Sequence, residues 1–228
     1  MRAVVSRVVS PEELSAMSCE EVDGVISQEL CFDDFEFNRK ARIEFRGKHK
    51  TEYLESVLFY CPQCGGMNNL YSEGNRFYCR DCGAIIEIDK NGFFVKIDKA
   101  DKIPETILDW SVKQLDFIKN FDFSGFSDKP VFSDDNVVFC RAERAKKEEP
   151  LGTGLIELYN DRLVVCGQEF LLSETTMAII GVRKMTLFTK NSVYALIAPF
   201  RLNFIKYMIC GYYLRNKILD RKDTYYGY

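Results

Sequence analysis

Four cysteines in two short motifs are the residues of this chain best suited to chemistry. The motifs read Cys61-Pro-Gln-Cys64 and Cys79-Arg-Asp-Cys82. Each fits a tight turn that points both sulfurs inward, and the fourteen residues between the motifs leave room for a hairpin that brings them together. Four thiolates fill a tetrahedral coordination sphere and leave no open position for catalysis. The pattern therefore predicts a structural Zn²⁺ site in a zinc ribbon.

A glycine follows the second cysteine of each motif, at Gly65 and Gly83. Glycine tolerates a positive φ, which lets backbone N–H groups turn back toward the thiolates. Three rival interpretations are two disulfides, a rubredoxin-like iron site and a redox Cys-x-x-Cys. Five further cysteines and the lack of a secretion signal disfavour disulfides, and the pairing of two motifs disfavours a redox role. A rubredoxin-like iron site normally has a longer gap between its motifs than the fourteen residues here, which disfavours it. Iron is the alternative to the expected zinc.

The elements that must position these cysteines follow from capping and turn signals. Ser10-Pro-Glu-Glu13 and Ser18-Cys-Glu-Glu21 each have the spacing of a helix-capping box. Short apolar runs separated by glycine and asparagine turns then predict a small antiparallel sheet. The expected segments are a helical lead-in at 1–57, the zinc ribbon at 58–99, a connecting helix at 100–121, a linker at 122–130 and a strand-rich domain at 131–228.

The strand-rich domain is expected to contain six or seven meandering strands and a final helix at about 200–217. This order is typical of a pleckstrin-homology-like (PH-like) β-barrel closed by a C-terminal helix. The predicted fold class is therefore α+β. The expected strands of this domain are 131–132, 137–141, 154–159, 162–165, 170–172, 185–189 and 192–197.

Charge is distributed unevenly along the chain. The whole molecule has a formal net charge of −3, whereas residues 183–228 hold nine basic and two acidic side chains, a net charge of +7. This asymmetry predicts that one face meets an anionic surface, although a basic helix exposed to solvent explains it equally well. The residues expected to make that contact are Lys184, Lys190, Arg201, Lys206, Arg215 and Lys217.

The ribbon itself does not have the charge of a nucleic-acid-binding surface. Arg76 and Arg80 are balanced by Glu73 and Asp81, so no basic patch surrounds the cysteines. Aromatic residues could stack on bases, but more often they pack a ribbon that is too small to have its own core. These aromatic residues are Phe77, Tyr78, Phe93 and Phe94. A nucleic-acid-binding zinc ribbon is therefore the alternative function.

Nothing else in the sequence assembles a plausible catalytic group or a membrane span. The single histidine, His49, lies in a Lys/Arg-rich stretch and is expected to be a solvated surface residue. No apolar run reaches 18 residues and no signal peptide is visible. The expected location is cytoplasmic, with peripheral contact at the inner membrane face. The remaining cysteines are expected to be reduced thiols: Cys19, Cys31, Cys140, Cys166 and Cys210.

A series of short motifs between residues 7 and 215 resembles a known family. The motifs include Ser10-Pro-Glu-Glu-Leu-Ser-Ala-Met17, Arg46-Gly-Lys48, Tyr53-Leu-Glu55, Cys61-Pro-Gln-Cys64, Gly74-Asn-Arg-Phe-Tyr-Cys79, Gly92-Phe-Phe94, Thr106-Ile-Leu-Asp-Trp110 and Glu148-Glu-Pro-Leu-Gly152. Their order resembles the C-terminal extension that follows the catalytic domain in some Firmicutes-type lysophospholipid acyltransferases (1-acyl-glycerol-3-phosphate acyltransferase-like proteins). Only the cysteine motif among them is specific.

The activity of that family does not carry over to this chain. The family's catalytic signature is a histidine followed five residues later by aspartate, and here Leu54 stands five residues after His49. The resemblance therefore implies a non-catalytic accessory module of phospholipid synthesis. Its implied partner is an acyltransferase catalytic domain or an anionic membrane surface.

Overall fold

The computed structural model describes residues 5, 7–30, 32–142, 147–181, 183–199 and 201–221. The chain divides into two compact units, Met1–Phe45 and Arg46–Tyr228. The class is α+β, as predicted, with a small helical N-terminal unit and two antiparallel sheets in the second unit. All of the predicted ribbon, connecting helix, linker and strand-rich domain lie in the second unit. Among the described residues, no helix has the length and apolar composition needed to cross a bilayer.

The first unit contains helices α1 (Pro11–Ala16), α2 (Cys19–Leu30) and α3 (Asp34–Ala41). Both predicted capping boxes are confirmed. The Ser10 hydroxyl accepts from the Glu13 N–H at 3.2 Å and the Glu13 carboxylate accepts from the Ser10 N–H at 2.8 Å, and Ser18 and Glu21 repeat this exchange. Because each box satisfies two otherwise unpaired donors, short helices can start at these positions.

The second unit begins with a short 3₁₀ helix, Leu54–Ser56, and a four-stranded sheet. The strands are β1 (Leu70–Glu73), β2 (Arg76–Cys79), β3 (Ile85–Ile88) and β4 (Phe94–Asp98), and they pair antiparallel in sequence order. Gly74 and Gly92 adopt positive φ values of 60° and 92° at the two predicted hairpin turns. The small sheet predicted at 58–99 is thus confirmed.

Helix α4 (Ile107–Asn120) begins at the cap residue Thr106 and joins the two cores of this unit. Its buried residues recur every four positions, at Trp110, Gln114 and Ile118, so they share one face. Trp110 belongs to the core under the four-stranded sheet, whereas Ile118 belongs to the larger core of the second sheet. The helix therefore connects the cysteine-bearing sheet to the rest of the unit.

The second sheet has seven antiparallel strands in the order β8-β7-β6-β5-β11-β10-β9. The two edge strands, β8 and β9, are not paired to each other in the described residues, so the closed barrel that the sequence predicted is not found. The strands are β5 (Phe132–Ala142), β6 (Glu149–Leu158), β7 (Arg162–Val165), β8 (Gln168–Leu171), β9 (Thr176–Ile179), β10 (Lys184–Phe188) and β11 (Val193–Ile197).

Helix α5 (Phe204–Ile218) follows the last strand and lies against the sheet. Its residue Tyr212 donates a hydrogen bond to the Met177 carbonyl in β9, and Tyr213 donates to the Lys119 carbonyl in α4 at 3.0 Å. The predicted helix is confirmed over this range, and Phe200 lies outside the described residues. Most of its side chains are buried, including that of the basic residue Lys206.

Candidate metal centre

The four predicted ligands come together in one compact cluster. The sulfurs of Cys61 and Cys82 are 3.9 Å apart, those of Cys64 and Cys79 are 3.8 Å apart, and all four sulfurs lie within 4.8 Å of one another. A zinc–sulfur bond is about 2.3 Å long, so the edge of a regular tetrahedron of four sulfurs is about 3.8 Å. The observed spacing therefore fits a metal ion held by four thiolates.

Two turns with the same backbone pattern present the ligands. The Cys61 N–H donates to the Gly66 carbonyl and the Cys61 carbonyl accepts from the Gly65 N–H, at 2.9 and 2.8 Å. In the second turn the Cys79 N–H donates to the Ala84 carbonyl at 3.0 Å, and the Cys79 carbonyl accepts from the Gly83 N–H at 2.9 Å. The repetition shows that two equivalent knuckles, one before β1 and one at the end of β2, face each other.

Backbone donors are directed at the sulfurs. Burial raises the pKa of the Cys61 thiol, while the N–H groups of Cys64 and Gln63 act in the opposite direction. Burial likewise raises the pKa of Cys79 against the N–H groups of its own turn. For Cys82, burial also raises the pKa, but the Ala84 N–H and the neighbouring thiols together outweigh it, so the net shift is downward. N–H donors of this kind stabilise the thiolates that a metal requires.

The site is closed on its inner side. Cys61 and Cys79 are buried, at 1% and 2% exposure, whereas Cys82 is half-buried and Cys64 is exposed. Four protein thiolates complete a tetrahedral sphere without a position for water or substrate. The donor set therefore favours a structural ion over a catalytic one.

A hydrogen-bonded pair ties the two knuckles together. Asn69 Nδ2 donates to Asp81 Oδ2 at 2.7 Å, and the Asn69 carbonyl accepts from the Arg80 N–H at 2.8 Å. Gly66 leaves room for this pair, because a Cβ there would lie 2.7 Å from Asp81 Oδ2 and would displace the carboxylate. Sequence reasoning did not identify Asn69 or Asp81 as supports, since their pairing depends on the folded hairpin.

Helix α4 fixes the segment that leads into the first knuckle. Trp110 Nε1 donates to the Tyr60 carbonyl at 2.7 Å, and Gln114 Oε1 accepts from the N–H groups of Phe59 and Tyr60 at 2.8 and 3.2 Å. Gln114 Nε2 also donates to the Val57 carbonyl at 3.3 Å. In the sequence Trp110, the one tryptophan of the chain, was noted as the last residue of the Thr106–Trp110 motif, and its hydrogen bond to Tyr60 was not predicted.

The aromatic residues of the ribbon serve mainly in packing. Phe77 and Phe94 are buried, and each ring lies 5.6 Å from the ring of Trp110. Arg80 lies over the Tyr71 ring at 4.4 Å. Arg76 pairs with Glu87 at 3.7 Å, so its charge is balanced.

The basic residues predicted to meet an anionic surface occupy different environments. Lys190 and Lys217 are exposed, and Arg215 is half-buried. Lys184 pairs with Glu148, and Arg201 pairs with Glu55. These six side chains therefore do not form one exposed basic face.

Lys206 requires a correction. Its side chain is buried, with the residue 4% exposed, and Nζ lies 2.5 Å from Asp134 Oδ2. Burial lowers the pKa of Lys206, and the adjacent Asp134 carboxylate opposes this shift. A cation held inside the protein by its own counter-ion cannot contact an external surface, so this prediction was wrong.

Four of the remaining cysteines are free thiols, as expected: Cys19, Cys140, Cys166 and Cys210. Cys31 and Lys222 lie outside the described residues.

Replacing Gly83 by alanine tests the knuckle geometry. Gly83 has a φ of 72°, and an added Cβ would meet nothing closer than 3.8 Å, so backbone strain alone opposes the change. We expect Gly83→Ala to lower the free energy of unfolding by about 1–2 kcal/mol and to speed metal release. Urea unfolding and metal transfer to a chelator measure the two effects.

Gly125→Ala is the matched control for this substitution. The space around Gly125 is open and its φ is not positive, so its free energy of unfolding should change by less than about 0.5 kcal/mol. Equal effects of the two substitutions would contradict the assignment of strain to the knuckle.

Comparison of the chain with protein-family models, curated proteins and solved structures finds no match.

Proposed function

We propose that this chain is a non-catalytic module in which Cys61, Cys64, Cys79 and Cys82 hold a structural Zn²⁺. The observation that carries the proposal is the convergence of two equivalent knuckles, with four sulfurs within 4.8 Å. The ion fastens the two turns of a sheet whose buried core is small. Small domains of this kind commonly depend on a metal for stability.

The stabilising effect of the bound ion extends beyond the ribbon. The first knuckle is joined to α4 through Tyr60, and α4 carries Ile118 into the core of the seven-stranded sheet. Metal binding therefore stabilises the segment that holds the two sheets of the second unit together. In this role the ion supplies folding free energy and no reaction step.

Metal analysis of the purified chain tests the proposal. Elemental analysis should find about one zinc per chain, and removal of zinc with a chelator followed by addition of Zn²⁺ should restore the folded ribbon. A chain isolated with iron and the visible charge-transfer absorption of a ferric tetrathiolate would support the rubredoxin-like alternative. A chain that folds without metal and binds neither ion would contradict the proposal.

For the seven-stranded sheet we infer a PH-like arrangement. The chain meanders through β5 to β8, returns to pair β11 with β5, and ends in a helix that lies against β9. In this order β6, β7 and β8 lie on one side of β5, and β9, β10 and β11 lie on the other. The β5–β6 register shifts between Asp134 and Val137, and a bulge of this kind bends a strand. The strand order and the position of α5 support the inference.

The role that we propose for the module is accessory to phospholipid synthesis. The support is the resemblance of its short motifs to the extension of lysophospholipid acyltransferases, together with the closed cysteine site. Its partner would be an acyltransferase catalytic domain or an anionic membrane surface, and of the six basic residues predicted to make such contact, Lys190 and Lys217 are exposed.

Co-sedimentation with liposomes tests the membrane contact. If the membrane is the partner, the chain should sediment with vesicles that contain anionic lipid and remain in solution with neutral vesicles. The double variant Lys190→Glu, Lys217→Glu should lose this binding, because each basic residue near an anionic surface contributes about 1 kcal/mol. Equal binding to both vesicle types, or binding to neither, would exclude the membrane and leave the catalytic domain as the proposed partner.

A further inference from the structure

Arg201 connects the start of α5 with the cysteine-bearing sheet. Its Nη1 donates to the Ser72 carbonyl at 2.9 Å and to the Ser72 hydroxyl at 3.1 Å, and it pairs with the buried carboxylate of Glu55. The guanidinium also lies 5.1 Å from the Tyr53 ring and 4.6 Å from the Tyr71 ring. One side chain therefore holds β1 and the 3₁₀ helix at the same time.

Lys206, in the first turn of α5, contacts the loop just before β1. Its Nζ donates to Asn68 Oδ1 at 3.1 Å while it pairs with Asp134 of β5. Tyr207 donates to the same Asp134 oxygen at 2.6 Å, which fixes the carboxylate. Lys206 thus ties the loop before β1 to the seven-stranded sheet.

The segment held by these two cations, residues 68–72, contacts the second knuckle. Asn69 bonds to both Arg80 and Asp81 of that knuckle, as described above. Leu70 stands opposite Cys79 in the β1–β2 pairing. Any shift of residues 68–72 would therefore move a metal ligand.

Backbone conformation indicates that this junction is held firmly. Tyr53, Asn68 and Arg201 all adopt left-handed conformations, with φ values of 68°, 65° and 75°. Such conformations are unfavourable for Tyr and Arg and persist where the surroundings fix them. Each of the two ion pairs has one buried member, Glu55 or Lys206, so removal of the other member would leave a buried charge uncompensated.

We infer that Arg201 and Lys206 are positioning residues for the metal site, acting through residues 68–72 on the knuckle that contains Cys79 and Cys82. This inference rests on the proposed structural metal site. Because coupling between two sites is reciprocal, the bound ion in turn stabilises the docking of α5 on the ribbon. The ribbon and α5 would then respond to metal as one element.

The test compares the rate of zinc transfer to a chromogenic chelator in the full chain and in Arg201→Gln. Loss of the bonds to Ser72 should speed zinc release roughly tenfold, within the range of coupling energies for residues in one network. Ser72→Ala removes one of the same bonds from the other side. Ser72→Ala should speed zinc release less than Arg201→Gln. It provides the test if Arg201→Gln does not fold.

Arg162→Gln is the matched control for Arg201→Gln. Arg162 also stacks on a tyrosine, 4.3 Å from the Tyr159 ring, pairs with Asp161 and Glu169, and donates to the Ser127 carbonyl at 3.3 Å. These partners lie in the seven-stranded sheet, its turns and the segment before β5, and none of them belongs to the ribbon. Its zinc release should match the original chain even where urea unfolding shows a loss of stability. The Co²⁺-substituted protein gives a second readout, since its ligand-field spectrum should change in Arg201→Gln alone.

The possible outcomes separate the two proposals. A chain that binds no metal would overturn both the structural site and this inference. Unchanged release in both Arg201→Gln and Ser72→Ala, from a chain that does bind zinc, would overturn the inference alone. Equal acceleration in Arg201→Gln and Arg162→Gln would also overturn it, because general loss of stability would then explain the effect.

Discussion

Replacing Cys79 by serine is expected to abolish metal binding and unfold the four-stranded sheet. Cys79 is buried and provides one of the four sulfurs of the cluster. Structural zinc supplies roughly 10–16 kcal/mol in zinc-finger peptides, which is as large as the usual total stability of a small domain. The small core around Trp110 cannot replace a contribution of that size.

Hydrogen exchange and elemental analysis measure this effect. In Cys79→Ser the amides of residues 61–98 should lose their protection and the metal content should fall to near zero. The seven-stranded sheet has a separate core, so its amides should remain better protected. Cys166→Ser is the control, because Cys166 is exposed and outside the cluster, and it should retain the metal. Retention of protection and metal in Cys79→Ser would contradict the account.

Replacing Trp110 by alanine should lower the free energy of unfolding by about 3–5 kcal/mol. The side chain is 1% exposed and contacts Phe77 and Phe94 on the sheet. Its loss leaves a cavity at the centre of the smaller core and leaves the Tyr60 carbonyl without its indole donor. Both effects act on the segment that enters the first knuckle.

Urea unfolding followed by circular dichroism measures the change, with Leu108→Ala as the control in the same helix. Leu108 is 41% exposed, so its truncation should have a much smaller effect. Metal release should also be faster in Trp110→Ala, because Tyr60 directly precedes Cys61. Similar losses of stability in the two variants would show that α4 does not anchor the ribbon.

The metal site was predictable from the sequence because its determinants are local. Two Cys-x-x-Cys turns, each followed by glycine, specify the ligands and the positive φ values without information about distant residues. The four short strands around them were predictable for the same reason, since turn residues mark each hairpin. The capping boxes at Ser10 and Ser18 are likewise local patterns of four residues.

Features that depend on distant partners were predicted less well. Strand β5 was expected as two short pieces, because the polar residues between Asp134 and Val137 look like a turn, whereas the structure accommodates them as an irregularity within one strand. Strand β9 was missed, since Thr176–Ile179 is short and lacks a clear alternating pattern. This segment forms a strand because its backbone pairs with β10, which the local sequence does not indicate.

The basic residues of α5 show the same limitation. A lysine in a basic helix is usually solvated, and nothing near Lys206 in the sequence indicates otherwise. Its counter-ion, Asp134, comes from β5 and reaches it only in the folded unit. Counting charges along the sequence therefore overestimated the exposed positive surface. The contacts of Lys206 with Asp134 and Asn68 are those from which we infer its positioning role for the metal site.

X-ray absorption at the zinc K-edge measures directly which atoms bind the metal. We expect a first shell of four sulfur atoms at about 2.3 Å in the chain as purified, with no nitrogen or oxygen scatterer. Absence of bound zinc, or a shell with fewer than four sulfurs, would contradict the assignment of Cys61, Cys64, Cys79 and Cys82 as a closed structural site.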